Sequence, residues 1–284
     1  MSKAQEQLKK VIERLIKKIE TTDGKWIKPF NSSFPMNYKT KTMYAGINIF
    51  NLWAIAEEQQ YKTNYWATYK QIKEMGGNIN KGETATEVFF YKQIKINEIN
   101  EETQEVKDKT ILILKTYSVF NLDQTTIKAE NIIINTNIFE IDEFIAKSGV
   151  EIKNSIDKAF YHPALNYIGM PSLNNFKSTE LYYATLFHEL AHSTGTPLKR
   201  DFSGRINGSE EEVKSYAKEE LIAETTRSFL QVKFSLDTTE MEEQNAIYLK
   251  SWLIPLKNDT KMIWNIFSEA TKAYQYLIQK QKNE

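Results

Sequence analysis

Cysteine is missing from the 284-residue chain. That excludes disulfides, thiolate-bound zinc ribbons, iron–sulfur clusters and thiol nucleophiles. Histidine is scarce, with three copies, so imidazole chemistry has few places to sit. No apolar run reaches the roughly 18 residues that would suggest a membrane span. The opening MSKAQEQLKKVIERLIKKIE carries charge throughout and lacks the apolar centre of a secretory leader, so the cytoplasm is the expected location.

The rest is an ordinary globular composition, 41% hydrophobic and 26% charged, which argues against wholesale disorder and, at this length, for a sizeable core and two domains. The net charge of zero hides an asymmetry. Residues 1–95 hold 16 Lys+Arg against 9 Asp+Glu, and residues 96–284 hold 21 against 28. A basic front half is a mild hint of a polyanionic partner; from charge alone, a solvated Lys-rich surface is the plainer reading.

Leu8, Val11, Ile12, Leu15, Ile16 and Ile19 recur at helical spacing and predict an amphipathic helix over residues 3–20. Gly24, Pro29, Pro35 and Gly46 mark residues 22–46 as irregular. Further helices are expected over about 48–60 and 66–75, the second stopped by Gly76-Gly77. Strands are expected at Glu87–Ile96 and Lys109–Phe120, with the polar Asn97–Asp108 as a hairpin loop. The polar, aperiodic stretch from Gln124 to Asn137 places the domain boundary, giving domains at 1–130 and 138–284. Behind it come a helix over 140–148, short strands within 150–173 (among them Ala159–Tyr161 and Tyr167–Met170), and helix almost to the end. The class is α+β: an α+β front domain and a mostly helical back domain with a small β-sheet.

The strongest motif is His188-Glu189-Leu190-Ala191-His192. Residues i and i+4 share a helix face, so both imidazoles reach one metal ion, and Glu189 lies beside them where a general base is needed. Ser178 or Thr179 can cap the helix, and Gly195 and Pro197 suit its end. His162, alone before Pro163, reads as structural. A zinc site needs a third protein ligand, and no histidine follows His192, so a carboxylate must serve. The helix predicted over Ser209–Val232, with Ser209 and Glu212 as a capping box, is the source. Glu220 and Glu224 share one of its faces, so one can bind the metal while the other hydrogen-bonds a ligand imidazole. Glu210, Glu211 and Glu219 read as ordinary surface glutamates.

These residues sit within a longer resemblance. In front it rests on Trp26-Ile-Lys-Pro-Phe, Pro35-Met-Asn37, Tyr44-Ala-Gly-Ile-Asn48, Trp66-Ala-Thr68, Gln71, Gly76-Gly77, Lys81-Gly82-Glu83, Val88-Phe-Phe and Tyr117-Ser-Val-Phe-Asn121. Behind, it rests on Tyr161-His-Pro, Met170-Pro171, the run from Tyr182 through the motif to Gly195, Arg200-Asp-Phe, the run from Tyr216 to Glu224, and Ser251-Trp-Leu. The chain resembles the ArdC-type antirestriction proteins of conjugative plasmids and related mobile elements over nearly its whole length. The resemblance implies an N-terminal single-stranded-DNA-binding domain and a C-terminal zincin-like metallopeptidase domain. It implies His188 and His192 as metal ligands, Glu189 as the catalytic carboxylate, and Glu220 as the third ligand with Glu224 behind it. The ion is zinc by default, with manganese as an alternative. Two positions depart from the family pattern: Asn166, where an acidic residue is expected, and His162, where a smaller polar one is.

Single-strand binding calls for cations along a groove and aromatic faces for bases. Lys25, Trp26, Lys28, Lys39, Lys41, Tyr44, Trp66 and Lys81 are the candidates for that role, although most tryptophans are core. A fragment of about residues 1–130 is expected to bind single-stranded DNA by itself. Other readings are a DNA-binding protection protein whose metal is structural, a processing or effector protease with a protein or peptide substrate, and a phage-encoded use of the same module. No membrane partner is expected.

Overall fold

The computed structural model describes residues 2–21, 33–99, 106–129, 138–204, 206–236 and 259–282. The front half begins with helix α1 (Lys3–Thr21), which buries Leu8, Ile12, Leu15 and Ile16, the face that the apolar spacing predicts. Helix α2 (Ile47–Glu58) is apolar almost all round and correspondingly buried. Strands β1 (Met36–Asn37), β2 (Tyr65–Ala67), β3 (Thr86–Ile99) and β4 (Val106–Asn121) form one sheet in the order β1-β2-β4-β3. The β3–β4 hairpin pairs without slippage from Thr86↔Val119 to Ile99↔Val106.

β3 is the edge of that sheet, and α2 covers part of its free side. Asn48 donates from Nδ2 to the Phe89 carbonyl at 2.7 Å and accepts the Phe89 N–H at 2.8 Å. One turn later, Asn51 donates to the Glu87 carbonyl at 2.9 Å. These amides supply the partners that a neighbouring strand would otherwise offer.

Residues 66–75 are not one helix. Tyr65–Ala67 is strand β2, registered Trp66↔Asn121 and Ala67↔Phe120, and helix α3 is shorter, Tyr69–Glu74. Thr68 divides them: in extended conformation it caps α3 in a reciprocal box with Gln71. Gly76, at φ 78°, ends the helix as expected.

The back half contains helix α4 (Ile138–Lys147), strands β5 (Glu151–Asn154), β6 (Phe160–His162) and β7 (Tyr167–Met170), and helices α5 (Thr179–Ser193), α6 (Glu210–Lys233) and α7 (Thr260–Lys280). The sheet order is β5-β7-β6, with β5 parallel and β6 antiparallel to β7. The expected Ser209–Glu212 capping box is present at the start of α6.

One core joins the two halves. Phe34, Phe50 and Trp53 pack against Phe229, Phe267 and Tyr274, with ring centroids 5.7 Å apart for Phe34–Phe229, 5.3 Å for Phe34–Tyr274 and 4.4 Å for Phe50–Phe267. The Gly46 N–H, at the start of α2, donates to Thr271 Oγ1 of α7 at 2.9 Å. A chain cut near residue 130 would present those front-half rings to water. The expectation of a free-standing front fragment meets this apolar junction, which composition and charge do not reveal.

Candidate metal centre

α5 carries the HExxH residues because its other faces are built to be buried. Ser178 caps it, accepting the Leu181 N–H at 3.3 Å. Tyr183, Leu186, Phe187, Leu190 and Ala191 go into the core, where Phe187 stacks on Phe234 with centroids 5.6 Å apart. Tyr183 donates to Asp142 of α4 at 2.6 Å and fixes the helix against it. The remaining stripe, Thr185, His188, Glu189 and His192, lines a cleft of about 570 Å³ together with Tyr216, Glu219, Glu220 and Glu224 of α6.

Within the cleft, the imidazoles are oriented by what lies behind them. His188 Nδ1 lies 3.2 Å from Glu224, and His192 Nδ1 lies 3.0 Å from Glu219. Ionised carboxylates only accept, so each Nδ1 carries a proton, and Nε2 is the nitrogen left to offer a lone pair to an ion that displaces any second proton. The two Nε2 atoms converge to 3.1 Å, and Glu220 reaches toward both, at 3.4 Å from His188 and 3.7 Å from His192. Two imidazole lone pairs and a carboxylate facing one point are a donor set for a divalent cation, and the ligand atoms of His188, His192 and Glu220 lie within 4.8 Å of one another.

Each outer glutamate is held in turn by an arginine. Arg227 donates to Glu224. Arg200 donates from Nε and Nη2 to Glu219, both at 2.8 Å, and also to the Ala191 carbonyl at 2.9 Å and Thr194 Oγ1 at 2.7 Å. Arg200 therefore supplies a partner for an end carbonyl of α5 and clamps its C-terminus to α6. The turn that returns Arg200 needs Gly195: a Cβ there would stand 2.1 Å from the Phe202 ring.

The carboxylates of the cluster stay ionised despite burial. Burial works against charge on Glu219, Glu220 and Glu224, yet His192 with Arg200, the two histidines with Tyr216, and Arg227 with His188 respectively bring all three below the usual carboxylate range. Burial likewise opposes a charged His188, but Glu220, Glu224 and Glu189 outweigh it and push its pKa up to about 10.

The cluster thus brings together His188, Glu189, His192, Glu220 and Glu224, all singled out from spacing. It also corrects one reading. Glu219 is 7% exposed and orients His192, so it is not a surface glutamate. Helical spacing alone could not find it, because Glu219 faces the cleft only through the crossing of α6 over α5. His162 is structural as expected: its Nδ1 accepts the Leu165 N–H at 3.2 Å, and its ring stacks on Tyr167. Asn166 takes φ 49° in the β6–β7 turn, a left-handed conformation that asparagine tolerates, and accepts from Tyr161 at 3.0 Å.

The front-half candidates fare differently. Lys25, Trp26 and Lys28 lie outside the described residues. Trp66 is fully buried and Tyr44 is 6% exposed, so neither ring can stack on a base; their aromatic bulk fills the core instead. Lys39 is paired with Glu74, the Lys41 ammonium sits 3.9 Å from the Tyr38 ring centre, and Lys81 is exposed in its turn. Among the described residues no helix is long and apolar enough to cross a membrane.

Both halves of the chain are similar to known proteins. Residues 5–120 match the family described as the N-terminal domain of anti-restriction factor ArdC, and residues 139–270 match that described as a zincin-like metallopeptidase. The solved antirestriction ArdC protein from the R388 plasmid is similar in its metal-free form at 38% identity and TM-score 0.78, covering 97% of this chain and 98% of that one. Its Mn(II)-bound form is similar at 35% identity and TM-score 0.77, covering 100% and 99%. The uncharacterized protein y4eC of Sinorhizobium fredii is 30% identical over 85% of this chain and 78% of its own length. A DNA primase TraC of Escherichia coli is 33% identical over 96% of this chain, which spans only 20% of the primase. The chain belongs to the ArdC antirestriction family, and its back half is a zincin-like metallopeptidase domain.

Proposed function

We propose that the back half hydrolyses peptide bonds with a divalent ion held by His188, His192 and Glu220, and that the front half binds single-stranded DNA. The observation that carries the first part is the convergence of the two Nε2 lone pairs and Glu220 on one point, with Glu189 beside them in an open cleft. A divalent ion bound there supplies Lewis acidity toward a carbonyl and acidifies water. Glu189 receives the proton from water and delivers it to the leaving amine. Glu224 and Glu219 hold the imidazoles in the tautomer that leaves Nε2 free, and Arg227 and Arg200 hold those glutamates. Zinc is the expected ion for two imidazoles and a carboxylate with no thiolate. Manganese is the alternative, and the R388 relative has been solved with Mn(II).

A peptide substrate suits the surroundings. β6 is an edge strand, and Ala159, Phe160 and Tyr161 of its segment line the cleft, so an extended chain could align along it and place a carbonyl near the cluster. The reading places the domains at 1–130 and 138–284 and the protein in the cytoplasm of a cell that carries a mobile element. Metal analysis of protein purified without chelator, together with a peptide-library cleavage assay of wild type and Glu189→Gln, tests it. One ion per chain in both proteins, with cleavage only in the wild type, is the expected result. Metal without cleavage in either would favour a structural ion in a DNA-protection protein.

A further inference from the structure

The front half presents a surface that the amino-acid pattern did not single out. Residues paired across an antiparallel ladder point to the same face. The pairs Val88↔Tyr117, Phe90↔Lys115 and Lys92↔Ile113 therefore place Phe90, Tyr117, Lys92 and Lys115 together on one face of the β3–β4 hairpin. Phe90 is 40% exposed and Tyr117 39%, with ring centroids 5.5 Å apart and planes inclined at 60°. Lys92 and Lys115 are exposed, and neither ammonium has an ion-pair partner among the described residues. From Thr86 to Lys92 and from Ile113 to Val119, that face carries no carboxylate; Glu87 points to the other side, paired with Ser118.

The platform is held firmly. Val88 and Val119 beside it are fully buried, Phe89 and Leu114 pack from the opposite face, and Asn48 clamps the Phe89 backbone. Two large rings left half in water on a braced ladder, flanked by uncompensated ammonium groups, are a surface for a partner with flat apolar faces and negative charge. Single-stranded DNA has both, whereas a duplex stacks its base faces against one another.

We propose that Phe90 and Tyr117 form a base-stacking platform for single-stranded DNA, with Lys92 and Lys115 neutralising the phosphates that flank the stacked bases. This rests on the reading of the front half as a single-strand binder and assigns that role to a place on it. The test is binding of a fluorescent deoxythymidine oligomer to the full-length protein across a salt series. The double variant Phe90→Leu with Tyr117→Leu should lose roughly 5- to 150-fold in affinity per stacked base at every salt concentration. Tyr117→Phe, which keeps the ring, should bind within about twofold of wild type. Lys92→Gln with Lys115→Gln should lower the slope of log affinity against log salt by about 1.4, at about 0.7 per phosphate neutralised. Unchanged metal content in every variant confirms the fold. If both double variants bind like wild type while Lys39→Gln with Lys41→Gln and Lys81→Gln does not, the platform is wrong and the single-strand reading stands. If wild type itself fails to bind the oligomer at low salt, both fall. If the leucine pair alters self-association and leaves DNA affinity unchanged, the face serves a protein contact and the proposal is overturned.

Discussion

The metal cleft and the front-half sheet meet their ligands by opposite strategies. In the cleft, two crossing helices bring His188, His192, Glu219, Glu220 and Glu224 together, and each imidazole is held from behind: His188 by Glu224 and Arg227, His192 by Glu219 and Arg200. On the sheet, the groups suited to a ligand are spread along a hairpin and half or fully exposed, with no ion pair among the described residues holding their charges. A multivalent ion calls for the first arrangement, because desolvating its ligands is costly unless their geometry is preset. A flexible polyanion is served by the second, which leaves side chains free to adapt to successive bases and phosphates. The two regions nevertheless share one aromatic core, so their separation in chemistry is not a separation in packing.

The sharpest break between the regions lies in metal dependence. His188→Ala, His192→Ala or Glu220→Ala should reduce metal affinity by more than the roughly 100-fold upper range for an outer partner, read as ion content after dialysis. DNA affinity should change little. A parallel loss of DNA binding would show that the ion orders the front half as well.

Next comes the shared core. Trp53→Ala should cost about 3–5 kcal/mol, because a fully buried indole in contact with Phe34, Phe50 and Phe229 would leave a cavity. Chemical denaturation of the full chain should show one cooperative transition. Two transitions, with only the first moved by the substitution, would make the halves independent after all.

Glu189→Gln should retain metal and lower any hydrolysis by about 10²–10⁴-fold, the usual contribution of a positioned acid–base group. Retained turnover would place the proton acceptor elsewhere in the cleft.

Smaller effects fall on the outer glutamates. Glu224→Ala and Glu219→Ala should each weaken metal affinity by about 10–100-fold, in competition with a chromogenic chelator. The two relays have the same plan, so similar losses are expected. A much larger loss from Glu224→Ala than from Glu220→Ala would reverse the roles of those two residues.

How much of this was legible follows from periodicity. The spacing of α1, the HExxH face of α5, the Ser209–Glu212 box and the i, i+4 pair Glu220/Glu224 are local repeats of one helix geometry, so sequence order maps directly onto space. The strand-rich composition of Glu87–Ile96 and Lys109–Phe120 also announces the β3–β4 hairpin, but not its extent: pairing continues to Ile99↔Val106, inside the polar Asn97–Asp108 stretch expected as loop. Residues 66–75 read as one helix because the short aromatic start at Trp66 has no period that separates a strand from a helix; sheet pairing with β4 and the Thr68 cap decide it.

By itself, the sequence determined most of the helices, the HExxH pair and the absence of any thiolate alternative. Only the tertiary structure decided which of three neighbouring glutamates meets which nitrogen, because the crossing of α6 over α5 sets that and no spacing within α6 encodes it. It also buried Trp66 and Tyr44 while leaving Phe90 and Tyr117 in water. An aromatic ring is apolar enough for a core and flat enough for a ligand, and its composition is the same in both. What distinguishes the two uses is whether another element arrives to cover it, and that is settled by packing between segments far apart in the chain.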